Sequence, residues 1–135
     1  MHVVALQYDI AWENREANFD TVRRLLTGAA VSPGSLIVLP EMFSTGFSMN
    51  VSRVAEAKAS ETEKFLSSLA WQYESHVVGG LVSKDPGSTL GRNEVAVYDP
   101  SGRPVALYQK NYTFSYSDES SPVSYTHLTL PTNCV

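Results

Sequence analysis

Apolar and polar positions follow two rhythms along this chain. "HVVALQY" (residues 2–8) is apolar and rich in β-branched residues, which predicts a strand. In "WENREANFDTVRRLLTGAA", Phe19, Val22, Leu25, Leu26 and Ala29 recur at helical spacing, with Arg15, Glu16, Asp20, Arg23 and Arg24 on the other side. Asn14 is placed to cap that helix, and "VSPGS" ends it. "LIVLP" (residues 36–40) predicts a second strand, so uniformly apolar that it reads as covered on both faces. A loop rich in Ser, Gly and Met then runs to about Ala59. Ser60 and Glu63 have the spacing of a capping box, and Phe65, Leu66, Leu69, Ala70 and Tyr73 form the apolar stripe of a second helix. "HVVGGLVS" predicts a third strand, in which Gly79 and Gly80 mark a close approach by a neighbour. "NEVAVYD" and "PVALYQK" are two further strands, joined by the tight-turn sequence "PSGR". This order of elements is that of an α/β fold.

The length, 135 residues, suits one domain. With 43% hydrophobic and 18% charged residues, the chain has the composition of an ordinary globular protein. A net charge of −4 gives no basic footprint for nucleic acid or anionic membrane. No apolar run approaches transmembrane length, and "MHVVALQYDI" lacks the parts of a signal peptide. The single cysteine, Cys134, forms no internal disulfide, so the expected compartment is the cytoplasm.

The chemistry-bearing positions fall at strand ends. In open α/β sheets, function gathers beyond the carboxyl ends of strands. Glu41 stands there after the second strand, behind Pro40, which stops the ladder. Lys110 ends the last predicted strand, and parallel neighbours would bring both residues to one edge of the sheet. A lysine beside a glutamate can stabilise a developing oxyanion. Glu119 is a second acid, in the loop after Lys110. Taken singly, each of the three also fits an ordinary solvated strand end or loop. His2, His76 and His127 have no metal spacing, and no dinucleotide, Walker or nucleophile-elbow motif is present. Asp9 and Glu13, near the start of the first helix, read as responses to the helix dipole.

Together, "ALQYDIAWENREANFD", "LIVLPEMFSTGFSM", "VGGLV", "NEVAVYDPSGRPVALYQK" and "FSYSDE" resemble the nitrilase, or carbon–nitrogen hydrolase, superfamily over roughly Val3 to Glu119. "LPEMFSTGFSM" is most similar to the omega-amidase branch, which hydrolyses the terminal amide of 2-oxo acids. The resemblance implies the N-terminal part of an α-β-β-α sandwich, homo-oligomeric in full-length members, with a small-molecule amide as substrate and no metal or organic cofactor. It implies Glu41 as general base, Lys110 as catalytic lysine and Glu119 as second glutamate. Phe43 and Phe47 are candidates for an apolar substrate wall, with core packing as the alternative for both. The sequence departs from the family pattern at Asn111-Tyr112-Thr113-Phe114, where a His-Leu-Phe commonly follows the lysine.

The family nucleophile is a cysteine at the end of a later strand, in a C-x-D-x-R-type context. Cys134, in "LPTNCV", has no apolar strand before it and is not expected to be that residue. From Ser120 the chain has no helical stripe and no charged residue, and "SYTHLTLPT" resembles translated sequencing adaptor. Residues 1–119 are therefore expected to be family sequence and 120–135 a non-family tail. This 135-residue chain is accordingly expected to be inactive. Two other readings remain open from the residues: a non-catalytic α/β module that binds a small molecule or partner, and an unstable fragment with unpaired strand edges.

Overall fold

The first apolar run makes a strand of only three residues. In the computed structural model, which describes residues 2–111, β1 (Val3–Ala5) pairs in parallel with β2 (Leu36–Val38) alone. Residues 6–8 lie beyond it, short of the predicted strand end at Tyr8. Helix α1 (Arg15–Gly28) starts as its sequence requires, the Asn14 side chain accepting a hydrogen bond from the Ala17 N–H. Helix α3 (Glu61–Gln72) opens on the expected capping box, with Ser60 and Glu63 bonding reciprocally. Between β2 and α3 the predicted loop contains a single helical turn, α2 (Val51–Val54).

Strands β3 (His76–Ser83), β4 (Arg92–Tyr98) and β5 (Pro104–Gln109) complete one five-stranded sheet in sequence order. β1, β2 and β3 are parallel, whereas β4 and β5 form an antiparallel hairpin on β3. The hairpin turn is held by Asp99, whose Oδ1 accepts from the N–H groups of Ser101 and Arg103.

Side chains alternate across the sheet. On one face Val4, Ile37, Val77, Leu81, Ala96 and Tyr98 pack with Phe19, Val22 and Leu26 of α1 and Phe65, Leu66 and Leu69 of α3. The Phe19 and Phe65 rings stack at 4.0 Å, and Phe43 joins them at 6.0 Å from each. Gly79 allows this packing: a Cβ there would stand 2.5 Å from a Leu66 methyl. The opposite face carries Leu36, Val38, Val78 and Val95, all part-exposed. The reading of β2 as covered on both faces is therefore not met among the described residues. They place both long helices on the Ile37 side and none over Leu36 and Val38.

Candidate active site

The polypeptide leaves β2 at Leu39, whose N–H still bonds to Val78 O, and Pro40 cannot extend that ladder. The Glu41–Met42 backbone then presses against β3 at Gly80, on the face away from α3. A Cβ on Gly80 would lie 2.8 Å from Glu41 Cα and 2.7 Å from Met42 N, closer than real contacts allow. Met42 takes a left-handed conformation (φ +49°), and its carbonyl accepts from the N–H groups of Thr45 and Gly46. The result is a tight corner with Glu41 at its outer edge.

That corner solves a problem of distance. β2 and β5 run in the same direction, so their carboxyl ends share one edge of the sheet, but they stand three strand spacings apart, about 14 Å. With its backbone over Gly80, Glu41 reaches past β3. Lys110, just after β5, reaches back, and its Nζ lies 2.6 Å from Glu41 Oε1. Asn93 of β4, on the same face, donates from Nδ2 to the same Oε1, also at 2.6 Å. Glu41 is exposed, Lys110 is part-exposed and Asn93 is buried.

These residues line a cavity of about 390 Å³ with Val38, Val78, Val95 and Tyr108. Its volume is in the range of small-molecule sites, and its walls are mainly apolar around a few polar groups. Lys110 Nζ also sits 5.6 Å from the centre of the half-exposed Phe47 ring, a cation–π arrangement. Phe47 therefore meets the lysine, though it is not among the residues that line the cavity. Phe43 does not: it is fully buried beside the stacked Phe19 and Phe65 rings and lines no part of this cavity. Its expected place on the wall is corrected, because the corner at Met42 turns Phe43 onto the helix-covered face.

The corner is anchored from several sides. The Tyr8 hydroxyl donates to Phe43 O at 2.9 Å, and burial pushes its pKa well above the ordinary tyrosine value. Asn18, almost fully buried, donates to Ser44 O. Glu13 accepts from the Ser48 hydroxyl at 2.6 Å and pairs with Arg53 at 2.8 Å. Its role is thus to clamp the 44–53 loop, which the helix-dipole reading missed.

Sequence reasoning brought together Glu41 and Lys110 but passed over Asn93 and Tyr108. The one available signal was period: in "NEVAVYDPSGRPVALYQK" both fall on the lysine's face once the hairpin register is known. Glu119, Cys134 and His127 lie outside the described residues, as does the segment from residue 120. His2 and His76 are at the exposed surface. Among the described residues no group of three or more His, Cys, Asp or Glu could hold a metal ion, and no helix is long and apolar enough to cross a membrane.

A family model described as carbon–nitrogen hydrolase matches residues 2–132. The chain is 26% identical over 119 residues to omega-amidase YafV of Escherichia coli (strain K12), covering 88% of this chain and 44% of that protein. It is 30% identical over 121 residues to omega-amidase YafV of Yersinia enterocolitica, with the same coverage of 88% and 44%. Among solved structures, XC1258 from Xanthomonas campestris, a CN-hydrolase superfamily protein with an arsenic adduct in its active site, superposes with a TM-score of 0.78. That pair is 22% identical over 96% of this chain and 49% of the other. An N-terminal amidase superposes with a TM-score of 0.72 at 17% identity, covering 84% of this chain and 28% of that one. The chain thus spans less than half the length of these relatives.

Proposed function

Because this chain belongs to the carbon–nitrogen hydrolase family, we propose that residues 2–111 present the base-and-lysine part of an amidase site for the terminal amide of a small 2-oxo acid. The observation that carries this reading is the 2.6 Å contact between Lys110 Nζ and Glu41 Oε1 in an apolar cavity at the carboxyl edge of the sheet. The similarity to omega-amidases supports the substrate class.

In this mechanism Glu41 takes the proton of a cysteine thiol, since the thiolate is the nucleophile. The sulfur bonds to the amide carbon while the Lys110 ammonium faces the developing oxyanion. The carbon–nitrogen bond then breaks, and ammonia leaves with the proton held by Glu41. Water gives a proton to Glu41 and adds to the thioester carbon, and the carbon–sulfur bond breaks as the thiol regains its proton. Glu119 would orient the lysine and the amide. Phe47 would stand beside the bound substrate. Cys134 is not assigned as the thiol, and the 135-residue chain is proposed to be inactive by itself. The family boundary at residue 119 is part of the same proposal, although the family match extends to residue 132.

Ammonia release from 2-oxoglutaramate tests the reading. The 135-residue chain should release none. A product of the source locus that reads on through a C-x-D-x-R strand end should release it, and Glu41→Gln should abolish that activity. Release that survives both Glu41→Gln and Cys134→Ser would overturn the mechanism. A reading frame at the locus that runs unbroken through residues 120–135 would overturn the boundary.

A further inference from the structure

Asn93 holds both members of the Glu41–Lys110 pair. Its backbone carbonyl accepts from the Lys110 N–H at 2.8 Å, which fixes where the lysine leaves β5. Its side chain donates to Glu41 Oε1 at 2.6 Å. The residue is 6% exposed and sits on β4, paired with Val82 of β3. Its amide is therefore mounted on the sheet, whereas the lysine ammonium rides on a flexible stem.

An ammonium is a rotatable point charge and attracts either oxygen of a carboxylate. An amide N–H₂ on a fixed strand chooses one. An ionised carboxylate offers about four lone-pair positions on two oxygens. Here both donors converge on Oε1, and Oε2 accepts no hydrogen bond from the described residues. We propose that Asn93 is a positioning residue: with Lys110 it occupies Oε1 and leaves Oε2 as the oxygen that exchanges a proton in the cavity. The identity of that proton, the thiol's, rests on the amidase reading. The selection of the oxygen rests on the geometry alone.

The test needs no turnover. With carboxyl-labelled glutamate in the 135-residue chain, the Glu41 carboxyl signal is read by NMR at neutral pH. Asn93→Ala removes the donor 2.6 Å from Oε1 and should displace that signal. Leu107→Ala, an exposed change on the opposite face of β5 from Tyr108, should leave it in place. If Asn93→Ala does not fold, Asn93→Asp keeps the volume but, ionised, offers no donor to Oε1, and it should displace the signal too. An unmoved signal in a cooperatively folding Asn93 variant overturns the proposal. A signal that moves, with no ammonia released by the extended product, upholds the positioning role and rejects the amidase reading.

Discussion

Gly80 of β3 supports Glu41 from below, with no room between them for a side chain. A Cβ at position 80 would come within 2.8 Å of Glu41 Cα and 2.7 Å of Met42 N, and both are backbone atoms that cannot swing aside. Gly80→Ala should therefore lift the corner off the sheet. Overpacking of this kind costs about 1–3 kcal/mol. A urea unfolding curve should show that loss. The Glu41 carboxyl signal should shift as its contacts with Asn93 and Lys110 lengthen. Gly79→Ala differs in kind, because there the obstacle is a Leu66 methyl on the helix-covered face. It should destabilise the protein and leave the Glu41 signal where it was.

The two phenylalanines of "MFSTGF" should separate cleanly. Phe43 is fully buried among aromatic rings, and Phe43→Ala should cost about 3–5 kcal/mol of unfolding free energy. Phe47 is 43% exposed, with Lys110 above its ring. Phe47→Ala should cost only about 1 kcal/mol, the worth of an exposed cation–π contact. Chemical denaturation of the two variants checks the ratio. Equal losses would mean that Phe47 serves the core.

This pair also shows where sequence reading stops. Strands and helices have periods, so "HVVGGLVS" gave the bounds of β3, and the spacing of Ser60 and Glu63 gave the start of α3. A strand-end carboxylate after proline was equally legible at Glu41. A loop has no period, and which of two phenylalanines four residues apart enters the core depends on the left-handed turn at Met42. Asn93 was hidden for another reason: its partner lies 52 positions away, and the link exists only because a glycine lets one backbone lie against another strand. Glu13 was misread because its partners, Ser48 and Arg53, are likewise remote in the chain.

Glu56 ties the site loop to both long helices. Its Oε1 accepts from the Glu61 and Thr62 N–H groups at the start of α3, and its Oε2 accepts from the Thr62 hydroxyl at 2.5 Å. The same Oε2 lies 3.3 Å from Arg15 Nε of α1, a buried nitrogen with no hydrogen bond of its own. Glu56→Ala would remove the ion pair and leave the first N–H groups of α3 without their acceptor, while Arg15 Nη2 keeps its bond to Val54 O. The expected cost is about 1–3 kcal/mol, that of donors left without a partner. Glu56→Gln keeps an acceptor for the N–H groups and should lose less. Thermal or urea denaturation of the two variants checks the order.

Tyr98 should make stability sensitive to alkali. Its side chain is buried between β4 and α3, and burial, helped by the negative charge of Glu63, pushes its pKa up to about 12. An unfolded tyrosine titrates near 10. Below that pH both states hold the proton, and the neutral ring contributes its full packing. Between about pH 10 and 12 the unfolded chain loses the proton while the folded one keeps it, so unfolding gains ground. Two pH units of difference amount to roughly 2–3 kcal/mol, lost progressively across that window. Tyr8, raised in the same sense by burial, adds to the trend. Urea midpoints measured from pH 8 to 11 should therefore fall more steeply for the parent chain than for Tyr98→Phe. Parallel curves for the two proteins would show that the Tyr98 hydroxyl titrates as freely folded as unfolded.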